Sequence, residues 1–329
     1  MNDVHIITKG TICRLLLALA LGLAGPPGMA QDYPDKPIRM LVGASPGGTT
    51  DIVARLIASE LEKKLKQPVA VENRPGAGGN LALNAVAKAA PDGYTLGMAY
   101  SGLAINPAVM QTMPFDTLKD LAPISLVATV DMFLLVDPAL GLQSVQDFVD
   151  MAKREPDKLA FAANALGSVS HLSAALFKLR TGIDIPIAVY KGSAPALVDI
   201  MGGSVSAMFD TVPGALSFVQ QKRLQVIAVG GNQRLSILPD TPTLEEAGLA
   251  DFQIGSWYGV VAPAGTPGPI AERLSDAMGE ILGGTGIRAQ LEKQMLNPKG
   301  TSPDAFRSFI VSEMAQWEKV AKDAQIVIK

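Results

Sequence analysis

The sequence predicts an α/β fold with mostly parallel strands, and three observations carry that prediction. Short β-branched or apolar runs alternate with segments of helical periodicity along nearly the whole chain. The chain is long enough for two domains, yet it has no serine-rich linker, no low-complexity tract and no internal repeat. Its single cysteine, Cys13, lies near the N-terminus, so a large apolar core and not a disulfide framework must stabilise it.

The first segment reads as a leader. Lys9 and Arg14 precede the apolar run LLLALALGLAG (15–25), and Gly28-Met29-Ala30 gives a small-x-small ending. That is the order of a secretory signal, with cleavage expected after Ala30. The run is shorter than the roughly 20 residues a membrane span needs. Cys13 precedes the apolar run and does not follow it, which argues against a lipoprotein leader.

Strands are expected at Ile38–Val42, Val69–Glu72, Thr95–Ala99, Ile124–Val130, Phe133–Val136, Leu159–Ala163, Ile187–Tyr190, Ala207–Phe209, Gln225–Val229 and Tyr258–Val261. Between the first two, IVARLIASELEKKL puts Ile52, Leu56, Ala58, Leu61 and Leu65 near one helical face, with charges opposite. SVQDFVDMAK opens with Ser144 and Asp147 at capping-box spacing. TPGPIAERLSDAM offers Thr266 as N-cap and Pro267 as the first helical residue. The last helix starts at Ser302-Pro303 and carries Phe306, Phe309, Ile310, Met314, Trp317 and Val320. GGTG (283–286) interrupts the helical pattern and is expected to be a loop.

Two domains without a linker imply that strands cross between them. The segments 124–136 and 248–261 are the expected crossings, so one lobe comprises 31–127 and 254–329 and the other, 128–253, is inserted. A cleft between such lobes is where small-molecule sites form. Hinge motion is expected near Val127–Asp131 and Gln253–Ser256.

Composition narrows the chemistry. The chain has 28 Lys+Arg and 31 Asp+Glu. Two of the bases and one acid lie in the leader, so the exported part carries a net charge of −4 with no basic run, a poor match to nucleic acid. Beyond the leader His171 is the only histidine, and CxxC, HExxH, GxSxG and phosphate-loop motifs are all missing from the sequence. No metal site, no cofactor and no enzymatic activity are expected. Ser168 and His171, three apart, form the one pair that a hydrolase reading could use, without a nucleophile elbow or an orienting acid.

SPGGTTD (45–51) follows the first strand and opens the first helix. Exposed N–H groups at a helix start attract anions. Ser45, Gly47, Gly48, Thr49 and Thr50 thus form a candidate cradle, in which Gly47 and Gly48 let the backbone approach the anion and the threonines add hydroxyls. Asp51 also falls in this run. It fits a first-turn residue complementing the helix dipole better than a ligand contact, since its charge would repel an anion unless the ligand bears an amine. Ser101 and Gly102 stand at the carboxyl end of the strand beginning at Thr95, where ligands of open sheets bind. Asp210 ends a later strand and either accepts from a ligand amine or hydroxyl or caps the next turn.

The ordered set YPDKPIRMLV, SPGGTTDIVAR, VENRPGAGGN, AAPDGYTL, GSVSHL, YKGSAPALVDIMGG, FDTVPGAL and SWYGVVAPAGTP resembles the substrate-binding proteins of tripartite tricarboxylate transporters, the Bug family of periplasmic receptors. The resemblance covers residues 33–322. It implies two Rossmann-like lobes of the periplasmic binding protein type II-like kind, closing on a small carboxylated solute that is passed to a membrane permease. It also implies that SPGGTTD and a facing second-lobe loop hold the carboxylate. That loop, NALGSVSHL, brings Asn164, Ala165, Gly167, Ser168 and His171, while Ala163 and Ala165 stand where serine and glycine are the family's habit. Lys191 in YKG is a candidate cationic clamp. Gly43 and Ala44 replace the family's proline and aromatic, which leaves room beside the carboxylate, and Val189 replaces a proline. The expected assembly is a monomer that meets its permease, and a sensor input docking to a membrane kinase is the alternative partner.

Overall fold

The computed structural model describes residues 33–328, so the leader lies outside the described residues. The chain alternates as expected: β1 (Ile38–Val42), α1 (Thr49–Leu65), β2 (Val69–Asn73), α2 (Asn80–Ala87), β3 (Thr95–Tyr100), α3 (Gly102–Val109) and β4 (Leu121–Val136) come first. Then follow α4 (Val145–Arg154), β5 (Phe161–Ala163), α5 (Val169–Thr181), β6 (Ile187–Val189), α6 (Ser193–Met201), β7 (Ala207–Thr211), α7 (Val212–Gln220) and β8 (Gln225–Val229). The chain closes with β9 (Gly255–Pro263), α8 (Gly268–Gly283), α9 (Thr285–Lys293), β10 (Asn297–Pro298) and α10 (Pro303–Asp323).

β4 is one continuous strand where two were expected, because Asp131 and Met132 interrupt the apolar run without breaking the extended backbone. It organises the sheet. Residues 121–131 pair antiparallel with β9, and residues 132–136 pair antiparallel with β7. On the first side the order is β2-β1-β3-β9-β4, with β1, β2 and β3 mutually parallel. On the second it is β4-β7-β5-β6, with β5, β6 and β7 parallel. β8 and the short β10 also pair with β4. From Lys36 onward the chain packs as one unit, since β4 serves both halves.

Helix faces follow the apolar periodicity, with one shift. α1 buries Val53, Ala54, Ile57, Ala58, Leu61 and Leu65, while Ile52 is exposed. The buried stripe runs through 53, 54, 57, 58, 61 and 65, and Ile52 lies one residue, about 100°, off its edge. Ser144 and Ser302 cap α4 and α10 as expected, accepting from Asp147 N and Ala305 N. α8 starts one residue late: Pro267 is its N-cap, and the Thr266 hydroxyl turns back to Pro263 O. The expected loop at 283–286 shrinks to a break at Gly284 between α8 and α9.

The second half is filled by a ladder of rings, Phe148, Phe161, Phe177, Phe209 and Phe252, with successive centroids 5.4–6.3 Å apart. Burying that much aromatic surface stabilises this half without disulfides. In the first half Trp257 meets Phe306 edge-on at 5.6 Å, and its indole N–H donates to Glu313, which also accepts from Trp317. These contacts fasten α10 to β9. The chain end is strapped down as well: Ile328 exchanges backbone hydrogen bonds with Val109 and Gln111.

Candidate functional site

Strand register fixes where the parallel strands end. β3 finishes with Tyr100 opposite Tyr258 of β9, and Tyr258 lies opposite Ala128 of β4. β7 runs against β4 and finishes with Thr211 opposite Met132. The parallel strands of the two halves therefore aim their carboxyl ends at each other across residues 128–132. The loops that follow β1, β3, β5, β6 and β7 all lie at such ends, where ligands of open α/β sheets bind.

The 45–51 loop is held from inside. Gly47 has φ +84°, and its N–H donates to Asp51 Oδ2 at 2.9 Å. The same carboxylate accepts from Arg55 Nε at 3.0 Å and Asn73 Nδ2 at 2.8 Å, and Asn73 also donates to Ala44 O. Burial pushes the Asp51 carboxyl up, but the hydrogen bonds from Arg55, Gly47 and Asn73 together outweigh it and hold the group below the usual range. Asp51 is only 3 % exposed and both its oxygens are engaged. It braces the loop, which corrects its expected contact with a ligand.

Gly48 is the N-cap of α1, with φ −77° and no side-chain cap. A Cβ there would meet only Ser45 O, at 3.6 Å. The conformational demand for glycine thus falls on Gly47 and not on Gly48. With no capping side chain, the first-turn N–H groups at Thr49 and Thr50 keep their donors for an incoming acceptor. Ser45 is exposed, and Thr49 and Thr50 are half-buried. Thr49 acts on the Tyr258 phenol, opposing its rise.

The Ser101 side chain and the bare Cα of Gly102 take part in packing. The Ser101 hydroxyl lies 2.9 Å from Ser256 Oγ and accepts the Trp257 N–H, tying β3 to β9. A Cβ on Gly102 would come within 2.8 Å of Gly78 O, so its glycine serves close approach to the 76–80 turn.

On the facing half, side chains join three loops. Gly192 N donates to Asn164 O at 2.7 Å, Asn164 Nδ2 donates to Ser193 Oγ at 3.3 Å, and Ser193 Oγ donates to Asp210 Oδ1 at 2.9 Å. Asp210 is 1 % exposed, and burial pushes its carboxyl up to about 6, with Ser193 and the Thr211 N–H acting against that rise. Tyr258 is buried beside it. Burial, Asp210 and Tyr100 raise the Tyr258 phenol, and Thr49 opposes them. Asp210, Tyr258 and Thr49 thus connect the second half to the 45–51 loop. Lys191 is exposed and Ala165 is exposed.

Ser168 caps α5 by accepting from His171 N, and its hydroxyl donates to Ala165 O at 2.8 Å. His171 Nδ1 accepts the Gly167 N–H at 3.2 Å, and burial lowers the imidazole's affinity for a proton. The Ser168 proton therefore points to a carbonyl and the imidazole acceptor to the backbone, so this pair is arranged as a helix cap and not as a nucleophile with its base. Gly167, at φ +71°, sits against Ile328 and Val109, where a side chain would collide. Among the described residues no acidic, histidine or cysteine cluster suits a metal ion, and no helix is long and apolar enough to cross a membrane.

Tyr258, Tyr100, Ser193, Asn73 and Ser256 lie in contact with the candidate residues and were not expected from the sequence. Tyr258 and Ser193 stand inside SWYGVV and YKGS, but only the fold brings Tyr258 near Asp210 and Thr49 and hydrogen-bonds Ser193 to Asp210.

Comparison with known proteins agrees with this architecture. The model of the tripartite tricarboxylate transporter family receptor matches residues 53–326. Protein BugT of Bordetella pertussis is 38% identical over 322 residues, covering 96% of this chain and 99% of the relative. The R. palustris protein Rpa4515, solved with adipate, is 36% identical with a TM-score of 0.84, covering 90% of this chain and 99% of the other. MatC from Rhodopseudomonas palustris, solved with bound malate, is 31% identical with a TM-score of 0.77, covering 88% and 99%. Two Rossmann-like halves sharing β4, carboxyl ends face to face, make the periplasmic binding protein type II-like fold, and the chain belongs to the tripartite tricarboxylate transporter family of receptors, the Bug-type periplasmic solute-binding proteins.

Proposed function

We propose that this receptor captures a small carboxylate between its two halves and delivers it to a tripartite tricarboxylate-type membrane permease. The observation that carries the reading is the pair of facing strand ends, one bearing the glycine-led, uncapped start of α1. Partial positive charge at helix starts lets a chain of net negative charge hold an anion. The relatives solved with adipate and malate support a carboxylate as the class of ligand. The protein acts by binding and release, without turnover.

In this reading 31–127 and 254–329 form one lobe and 128–253 the other, which the exchange of β4's partner at Asp131/Met132 supports. The leader is removed after Ala30, and the monomeric receptor works in the periplasm. Intact mass of the exported protein beginning at Gln31 checks the cleavage; a retained leader refutes it.

A thermal-shift screen across carboxylic acids and their amides tests the ligand class. A true ligand at 100 times its dissociation constant adds about 2.7 kcal/mol. Equal shifts by acid and amide would sink the carboxylate reading.

A further inference from the structure

Asp210 is an anomaly in a site built to hold an anion. It is 1 % exposed, its Oδ1 takes the Ser193 hydroxyl, and its Oδ2 has no hydrogen-bond partner among the described residues. A buried carboxylate oxygen without a donor is costly, so structures rarely leave one in place without a use.

The chain withholds donors from this oxygen. Asp210 stands just before α7, where a carboxylate normally finds first-turn N–H groups, but Pro213 occupies the second helical position and has none. Gly214 keeps the neighbouring space open: a Cβ there would lie 2.9 Å from Oδ2. No lysine, arginine or histidine acts on the carboxylate; the groups that do are Ser193, the Thr211 N–H and burial itself. Tyr258 is buried close enough to feel the carboxylate's charge, and Thr49 of the 45–51 loop acts on the same phenol.

We propose that Asp210 is the specificity-determining residue of the cleft, and that its open oxygen accepts a hydrogen bond from an ammonium or hydroxyl group on the carboxylate ligand. The ligand is then an amino or hydroxy acid, its carboxylate on the α1 side and its donor on Asp210. An unsubstituted acid would leave the Asp210 oxygen unsatisfied and bring a second negative charge toward it. The proposal rests on the carboxylate-receptor reading above and adds the second functional group. A missing donor at a site built for one typically costs several orders of magnitude in discrimination.

The test is calorimetry on the exported protein with matched sets: succinate, malate and aspartate; glutarate, 2-hydroxyglutarate and glutamate; propionate, lactate and alanine. Within any set that binds, the hydroxy or amino member is expected to bind at least about tenfold tighter than the unsubstituted acid. Which of the two leads distinguishes hydroxyl from ammonium. Asp210→Asn, checked for folding by circular dichroism, is expected to erase that preference. An unsubstituted acid binding as tightly as its partners overturns the proposal on the wild-type protein alone, as does a folded Asp210→Asn variant that keeps the preference. If no acid binds at all, the carboxylate reading fails and takes this proposal with it.

Discussion

The Asp51 carboxylate accepts the Gly47 N–H at 2.9 Å, so the turn that leads into α1 is closed by a residue from the helix's own first turn. Asp51→Ala would strand that N–H together with Asn73 and Arg55. The expected cost is about 1–3 kcal/mol of stability, with weaker ligand binding because the loop loses its shape. The pH dependence has a definite sign. The folded-state pKa is depressed, so the stabilisation is fully present above the unfolded value of about 3.9 and fades as pH falls through the folded value. Acid titration of thermal stability in wild type and Asp51→Asn checks this; parallel curves would show that Asp51 contributes nothing.

The two glycines of the loop are expected to fail differently. Gly47→Val forces a β-branched residue to φ +84° and should destabilise the fold by about 1–3 kcal/mol. Gly48→Val meets no strain and should melt like wild type, yet its side chain fills the approach to the first-turn N–H groups, so binding is lost. Thr50→Ala should weaken binding by about 1–2 kcal/mol, and Lys191→Ala by less. Melting curves paired with calorimetry decide it, and normal binding by Gly48→Val combined with loss in Lys191→Ala would replace the backbone cradle by a cationic clamp.

Asp210 gives the opposite pH response to Asp51. Its carboxyl is raised from 3.8 to about 6 by burial, so the folded protein holds the proton more tightly than the unfolded chain. Stability from this group is fully present below about pH 4 and is lost as pH rises through about 6. A shift of about two units corresponds to about 3 kcal/mol. Asp210→Asn should flatten the stability profile between pH 4 and 7; an unchanged slope in the variant would assign the effect to another group.

How much of this was legible before the fold was known depends on the range of the signal. Strand cores such as Ile38–Val42 and Gln225–Val229 announce themselves locally, through apolar runs bounded by turns. β10 does not, because Asn297-Pro298 is strand only through its pairing with Ala128 and Thr129. The 45–51 loop was visible as a glycine-rich junction, but which glycine needs its freedom was not: that follows from the Asp51 and Asn73 hydrogen bonds. Ser101 looked available at a strand end and is consumed by Ser256, 155 residues away. Nothing near Tyr258 in sequence points to Thr49 or Asp210, so its place beside them is legible only in the fold.

Closure should occur where β4 changes partner. Asp131 is the last residue opposite β9, facing Gly255, and Met132 is the first opposite β7. A Cβ on Gly255 would come within 2.9 Å of Val130 O, so Gly255→Ala is expected to disturb the hinge without touching the cradle. Small-angle scattering of wild type with and without a saturating carboxylate should show compaction, reduced in the variant. An unchanged wild-type radius would argue against a hinged receptor.

The position of β9 between β3 and β4 has a consequence for biogenesis. The first sheet cannot be completed until residue 263 has been synthesised, since the strand that joins β3 to β4 comes from the last third of the chain. Contacts spanning that much sequence form slowly. Until then β3 has a partner on only one side, and the first half stays incomplete while the strands of the second are already synthesised. Members of the family are periplasmic, and for an exported chain such a delay favours the extended state that threading across a membrane requires.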